Sequence, residues 1–149
     1  MTVSEYIINK LKSLDIKHVF CVTGGGSMYL NEALRNSNIK TIFCHHEQAA
    51  TMAAIGYSKL IGTPGVVMVT SGCASTNTIT GLLDAYQDDV PLIIISGDSW
   101  LEDISNKGYG VQGSNIKDIV SSITGSFIQI DTNIDYIIDN KLSFYNTPL

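Results

Sequence analysis

The amino-acid sequence predicts an α/β fold, an open and mostly parallel sheet with helices on both faces, and three observations point to it. Apolar runs without alternation recur, as in Val66-Val67-Met68-Val69 and Leu92-Ile93-Ile94-Ile95. Continuous runs of this kind imply strands buried on both faces, the situation of parallel sheets beneath helices. Strand-like and helix-like stretches also alternate along the chain as a βαβ series. Finally, the chain has 149 residues, 44% hydrophobic and 15% charged, the composition of one folded domain. A domain of that size can bury about 68–70% of the surface its unfolded form exposes.

Each element has its own signal. Thr2-Val3-Ser4-Glu5 matches a capping box, and Val3, Ile7, Leu11 and Leu14 follow at helical spacing, so a first helix with these residues on its buried face is expected to about residue 14. A strand over residues 18–22 leads into the turn Thr23-Gly24-Gly25-Gly26 and a helix from 27 to about 36. The pattern then repeats: a strand at 41–44 and an Ala-rich helix from 47 to about 60, then a strand at 65–70 and one helix running to about 86. Residues 91–96 form a further buried strand. Between 97 and 115 periodicity disappears into Gly, Ser, Asp and Asn, a loop long enough to suggest a functional role. A short helix at 116–122, a strand at 127–130 and a last helix at 134–140 complete the expectation. The tail from 144 onward has no clear element, and neither a linker nor a repeat is visible.

The formal charge of −5, with no run of Lys or Arg, leaves no basic footprint for nucleic acid or an anionic membrane surface. No stretch approaches the ~20 apolar residues of a membrane span, and the first residues lack the pattern of a secretory signal. The expected setting is the cytoplasm. Cys21, Cys44 and Cys73 are odd in number and widely spaced, which gives neither a disulfide framework nor a CxxC metal site. Cys21 and Cys44 lie in apolar runs and read as small buried thiols.

Ligands of open α/β sheets sit beyond the carboxyl ends of the strands. Four segments lie there: Thr23 to Ser27, His45-His46-Glu47-Gln48, Ser71 to Asn77, and Ser96-Gly97-Asp98. Glu47 alone could be an ordinary acid in the first turn of a helix, favoured by the dipole. His46 could face a ligand or pack beside the strand end, whereas His45 reads as a solvated loop residue. Gly24, Gly25 and Gly26 could admit close approach to a ligand or serve the turn alone. Thr76 and Asn77 could line a pocket or cap locally.

In this order and spacing the segments resemble the N-terminal domain of acetolactate synthases and related 2-oxo acid decarboxylases, over about residues 1 to 130. The resemblance rests on His46-Glu47-Gln48-Ala49-Ala50, Gly56-Tyr57-Ser58, Gly62-Thr63-Pro64-Gly65, Thr70-Ser71-Gly72, Thr76-Asn77, and Asp84 through Val90-Pro91-Leu92. It implies a single pyrimidine-binding domain of a thiamine-diphosphate-dependent enzyme acting on 2-oxo acids such as pyruvate, by carboligation or decarboxylation. Glu47 would hydrogen-bond N1′ of the aminopyrimidine and favour the imino tautomer, which takes the proton from C2 of the thiazolium. A carboxyl group in a dry pocket stays protonated and able to donate. Gly24, Gly25, Gly26, His46, Ser71, Gly72, Thr76 and Asn77 would form the cofactor-binding surface, and Gln112, in Val111-Gln112-Gly113, would lie near the reaction centre. Mg²⁺ and the diphosphate belong, in this family, to a separate domain with a Gly-Asp-Gly motif and a later Asn. Gly97-Asp98-Ser99 is not that motif, and Thr124 stands where the Asn would be sought, so that domain is expected to be absent and the C-terminus truncated. The implied assembly is a homodimer or larger, or a heteromer with a diphosphate-binding chain.

Cys73-Ala74 replaces the Pro-Gly that usually follows Ser-Gly in this family. Rival readings are weaker on the residues. A dinucleotide site needs GxGxxG, and Tyr29 occupies the last glycine position. Cys73 at a strand-to-helix turn could be a nucleophile with His18, His45 or His46 as base. A zinc peptidase lacks the second His of HExxH. The non-enzymatic alternative is a catalytically inactive remnant or regulatory subunit that keeps the same surface.

Overall fold

A computed structural model of the chain describes residues 1–98 and 112–130. Helix α1, Val3–Ser13, starts at the expected capping box: the Glu5 N–H donates to Thr2 Oγ1 at 3.2 Å, and the Thr2 N–H donates to Glu5 Oε2 at 2.7 Å. Its buried stripe is Ser4, Ile8 and Leu11, with Ile7 half-buried, whereas Val3 is exposed. The face is set by 4-8-11 spacing, and position 3 lies about 100° round the axis from it.

Strand β1, His18–Cys21, is followed by a 3₁₀ turn, Gly25–Ser27, and helix α2, Met28–Arg35. Strand β2, Lys40–Phe43, leads to α3, Glu47–Ile61, and β3, Gly65–Val69. Two helices follow instead of the single one expected: α4, Cys73–Thr76, and α5, Ile79–Gln87. Hydroxyl groups break the run by competing for helical carbonyls. Thr76 Oγ1 donates to the Cys73 carbonyl at 2.9 Å, and Thr78 donates to the Ser75 carbonyl through both Oγ1 at 2.6 Å and N–H at 3.1 Å. Strand β4, Leu92–Ser96, and α6, Ile116–Val120, complete the elements among the described residues.

The sheet has four parallel strands in the order β2-β1-β3-β4. Alternate residues of each central strand feed two cores. Val19, Cys21, Val66, Met68 and Ile93 pack with Ile8 and Leu11 of α1 and Leu34 of α2. Phe20, Val67, Val69 and Leu92 pack on the other face with Ala50, Ala54 and Ile55 of α3 and Ala85 of α5. Of the unbroken apolar runs, β3 is buried throughout as expected, whereas β4, last in the strand order, is buried at Leu92 and Ile93 and half-buried from Ile94 to Ser96. Phe127 to Ile130, expected as a strand, lie in irregular backbone, since β propensity by itself is a weak, context-dependent preference. The helix expected at 134–140, and most of the loop from 97 to 115, lie outside the described residues. Among the described residues no helix is long and apolar enough to cross a membrane.

Candidate functional site

From β1 the chain first moves to β2 on one side and then crosses back to β3 on the other, so the order reverses beside β1. Crevices beyond the carboxyl ends of strands open at such switch points. Three turns meet there. The Gly26 N–H, after β1, donates to Thr70 Oγ1, after β3, at 2.9 Å. A Cβ on Gly24 would lie 2.5 Å from Thr70 Cγ2, one on Gly26 2.5 Å from Ser71 Oγ, and one on Gly97 2.1 Å from the Gly26 carbonyl oxygen. Gly24 and Gly26 are thus glycines because neighbouring turns press on them. Gly25 differs: it is exposed, with open space where a side chain would go.

Below the turns, the hydroxyls of Ser75 and Ser96 meet each other and the Thr70 carbonyl, the latter at 3.2 Å each. Ser71 and Gly72 are buried, and Gly72 has φ 68° and ψ −122°, a backbone that residues with a Cβ rarely adopt. That glycine turns the chain from β3 into α4, so the turn is made without the Pro-Gly pair of the resembled family.

Glu47 is the first residue of α3 and is half-buried. Its Oε2 accepts from Asn77 Nδ2 at 2.9 Å, and its carbonyl accepts from Thr51 Oγ1 at 2.8 Å. His46 is exposed and caps α3, its Nδ1 accepting from the Gln48 N–H at 3.1 Å. Thr76 spends its hydroxyl on the Cys73 carbonyl, as local capping would have it, but Asn77 does not cap locally through its amide. Gln112 is exposed in a turn ahead of α6. The structure thus joins Glu47 to Asn77, and the glycine turn to Ser71. Sequence reasoning passed over Thr70, Ser75 and Ser96 as supports of these turns. Their signal was present in the small polar residues that end β3 and β4.

The thiols separate clearly. Burial pushes Cys21 up to about 11, with Cys44 adding to the shift, and burial raises Cys44 as well. Cys73 is exposed, and all three cysteines are free. His18 opens β1 at the amino end of the strands, away from these turns, with its Nδ1 2.9 Å from Tyr57 Oη, and His46 Nδ1 is engaged as a helix cap. The donor set suits a flat nitrogen heterocycle, with a carboxyl group at one strand end and an open glycine backbone at the next. Among the described residues no group of three His, Cys, Asp or Glu side chains is placed to hold a metal ion.

The molecule is thus an open α/β domain of parallel strands with a carboxyl group beside its switch point, the place where ligands of such sheets sit. The chain belongs to the thiamine pyrophosphate enzyme family: the model of its N-terminal, TPP-binding domain matches residues 1–122. Among curated proteins it is similar to the acetolactate synthase isozyme 2 large subunit of Escherichia coli K12, 39% identical over 97 residues, 65% of this chain and 18% of that protein. The acetolactate synthase large subunit of Lactococcus lactis is 43% identical over 95 residues, 63% of this chain and 16% of the relative. The chloroplastic acetolactate synthase of Arabidopsis thaliana is 39% identical over 95 residues, 63% and 14% respectively. The matched stretch spans less than a fifth of each of these relatives. Membership of this family implies thiamine diphosphate as the cofactor.

Proposed function

We propose that this chain supplies the pyrimidine-binding side of a thiamine-diphosphate-dependent, acetolactate-synthase-like enzyme acting on 2-oxo acids such as pyruvate. The observation that carries the reading is Glu47, a half-buried carboxyl group at the carboxyl end of β2 with one oxygen held by Asn77. Its other oxygen is the group that hydrogen-bonds N1′ of the aminopyrimidine and exchanges a proton with it. Gly25 offers open backbone beside the ring, and Ser71, Gly72, Gly24 and Gly26 hold the turn in place. Thr76 shapes the same edge from α4, His46 fixes the start of α3, and Gln112 acts near the reacting carbon. When bound, thiamine diphosphate supplies the electron sink for carbanion chemistry at the 2-oxo carbon.

In this reading the 149 residues act as one pyrimidine-binding domain, and residues outside them hold Mg²⁺ and the diphosphate. The chain works as a homodimer or larger, or with a diphosphate-binding companion. Exposed Met52 and Leu60 on α3 and Leu83 and Tyr86 on α5 support such pairing. Three free cysteines suit a reducing, cytoplasmic setting. Calorimetry of the chain with thiamine diphosphate and Mg²⁺ tests the division of labour. No saturation at submillimolar cofactor is expected, and a micromolar dissociation constant would refute it.

A further inference from the structure

We propose that Asn77 is a positioning residue for Glu47, its amide deciding which carboxyl oxygen carries the proton offered to a ring nitrogen. The inference rests on the proposed function and deepens the role given there to Glu47. Asn77 Nδ2 donates to Glu47 Oε2 at 2.9 Å. An amide N–H cannot accept, so Oε2 must present a lone pair to it. A protonated carboxyl group has a single O–H, and its carbonyl oxygen is the stronger acceptor, so an Oε2 engaged by the amide favours Oε1 as the oxygen that carries the proton. Oε1 is then the donor to the ring, and the proton returns to the same oxygen.

The anchor is itself fixed. Asn77 ends α4 and precedes Thr78, whose hydroxyl and N–H both bond the Ser75 carbonyl, at 2.6 and 3.1 Å. Ser75 is buried, and its own hydroxyl bonds the Thr70 carbonyl at 3.2 Å, tying α4 to the end of β3. A Glu side chain has free torsions that cost entropy to order, and a hydrogen bond at its tip from a pinned segment restrains them. The break between α4 and α5 thereby acquires a purpose: it turns the Asn77 amide toward another helix and away from its own backbone. Asn77 acts through Glu47 and is not itself a catalytic residue.

The test uses the chain in solution, isotopically labelled for NMR. One Asn77 Nδ2 proton should lie downfield of its partner and exchange slowly, and Glu47→Ala should abolish both features. In Asn77→Ala, and in the isosteric Asn77→Asp, the Glu47 side chain should lose order, its order parameter falling below about 0.6. Asn77→Gln keeps the amide and should restore part of that order. Asn77 is exposed, so these variants should retain the wild-type backbone spectrum. A Glu47 side chain equally ordered in Asn77→Ala and Asn77→Asp would overturn the proposal. A second arm adds the free aminopyrimidine ring at millimolar concentration and follows the Glu47 carboxyl resonance. Displacement in the wild type that is largely lost in Asn77→Ala supports positioning, and equal displacement in both overturns it while the proposed function stands. No displacement in the wild type counts against the proposed function, and side-chain order then decides the positioning role by itself.

Discussion

Gly97 lies against Gly26 so closely that a Cβ on Gly97 would stand 2.1 Å from the Gly26 carbonyl oxygen. The turn after β4 and the turn after β1 are therefore packed backbone to backbone at the edge where Thr70 and Ser71 also press on the glycine turn.

Gly97→Ala forces one of those turns to move, and overpacking of this kind costs about 1–3 kcal/mol. Gly56 is the control. It lies inside α3, exposed, with nothing within 4 Å of the place a methyl group would take, so Gly56→Ala should stabilise the fold by about 0.5–1 kcal/mol. Urea unfolding of both variants reads the two signs. A neutral Gly97→Ala would mean that the turns are not in contact in solution.

Cys21 gives a pH dependence. Its folded-state value is pushed from 9.0 to about 11, chiefly by burial. The native state thus keeps a proton that the unfolded chain releases, so the stabilisation is complete below 9.0 and is lost as pH rises towards about 11. The loss should be roughly 2–3 kcal/mol at most. Urea midpoints measured across that window should fall more steeply for the wild type than for Cys21→Ala, since Lys and Tyr titrations are common to both. Parallel slopes would remove Cys21 as the source.

The βαβ order, both faces of the core and the place of Glu47 at the start of α3 were legible in the sequence because each depends on local pattern: unbroken apolar runs for β3 and β4, an Ala-rich stretch for α3. The link between Glu47 and Asn77 was not. β1 lies between β2 and β3, so no strand register relates the two residues, and they meet where α3 and α5 pack side by side on one face of the sheet. The α4–α5 break was hidden for a related reason. Thr76 and Thr78 are compatible with helix, and only their hydroxyl bonds to the Cys73 and Ser75 carbonyls end one helix and begin the next. Val3 shows the limit of periodicity at a terminus, where a spacing that fits the helix can still miss the buried face by one residue.

Self-association is the expected consequence if the exposed apolar side chains of α3 and α5 form one interface. Leu60 is 82% exposed and Tyr86 51%, on two neighbouring helices. Sedimentation should find a dimer or larger species at high protein concentration. A strict monomer there would remove the apolar faces as a homomeric interface and leave a companion chain as the partner to seek.

Glu47→Gln separates binding from proton exchange. Asn77 donates to Glu47 Oε2, and the carbonyl oxygen of a Gln side chain can accept that same bond while its NH₂ still donates to a ring nitrogen. In a complex of this chain with a diphosphate-binding domain, cofactor affinity should therefore change little. Proton exchange should suffer, because an amide cannot give up and regain a proton as a carboxyl group does. Positioned acid–base groups contribute ~10²–10⁴-fold, and the loss in pyruvate turnover should fall in that range. The measurement is exchange of the cofactor's C2 proton, followed by NMR in wild-type and Glu47→Gln complexes at matched occupancy. Equal exchange rates would take Glu47 out of the reaction while leaving its bond to Asn77 as a purely structural contact, and a wild-type complex that exchanges no proton would favour an inactive binding subunit.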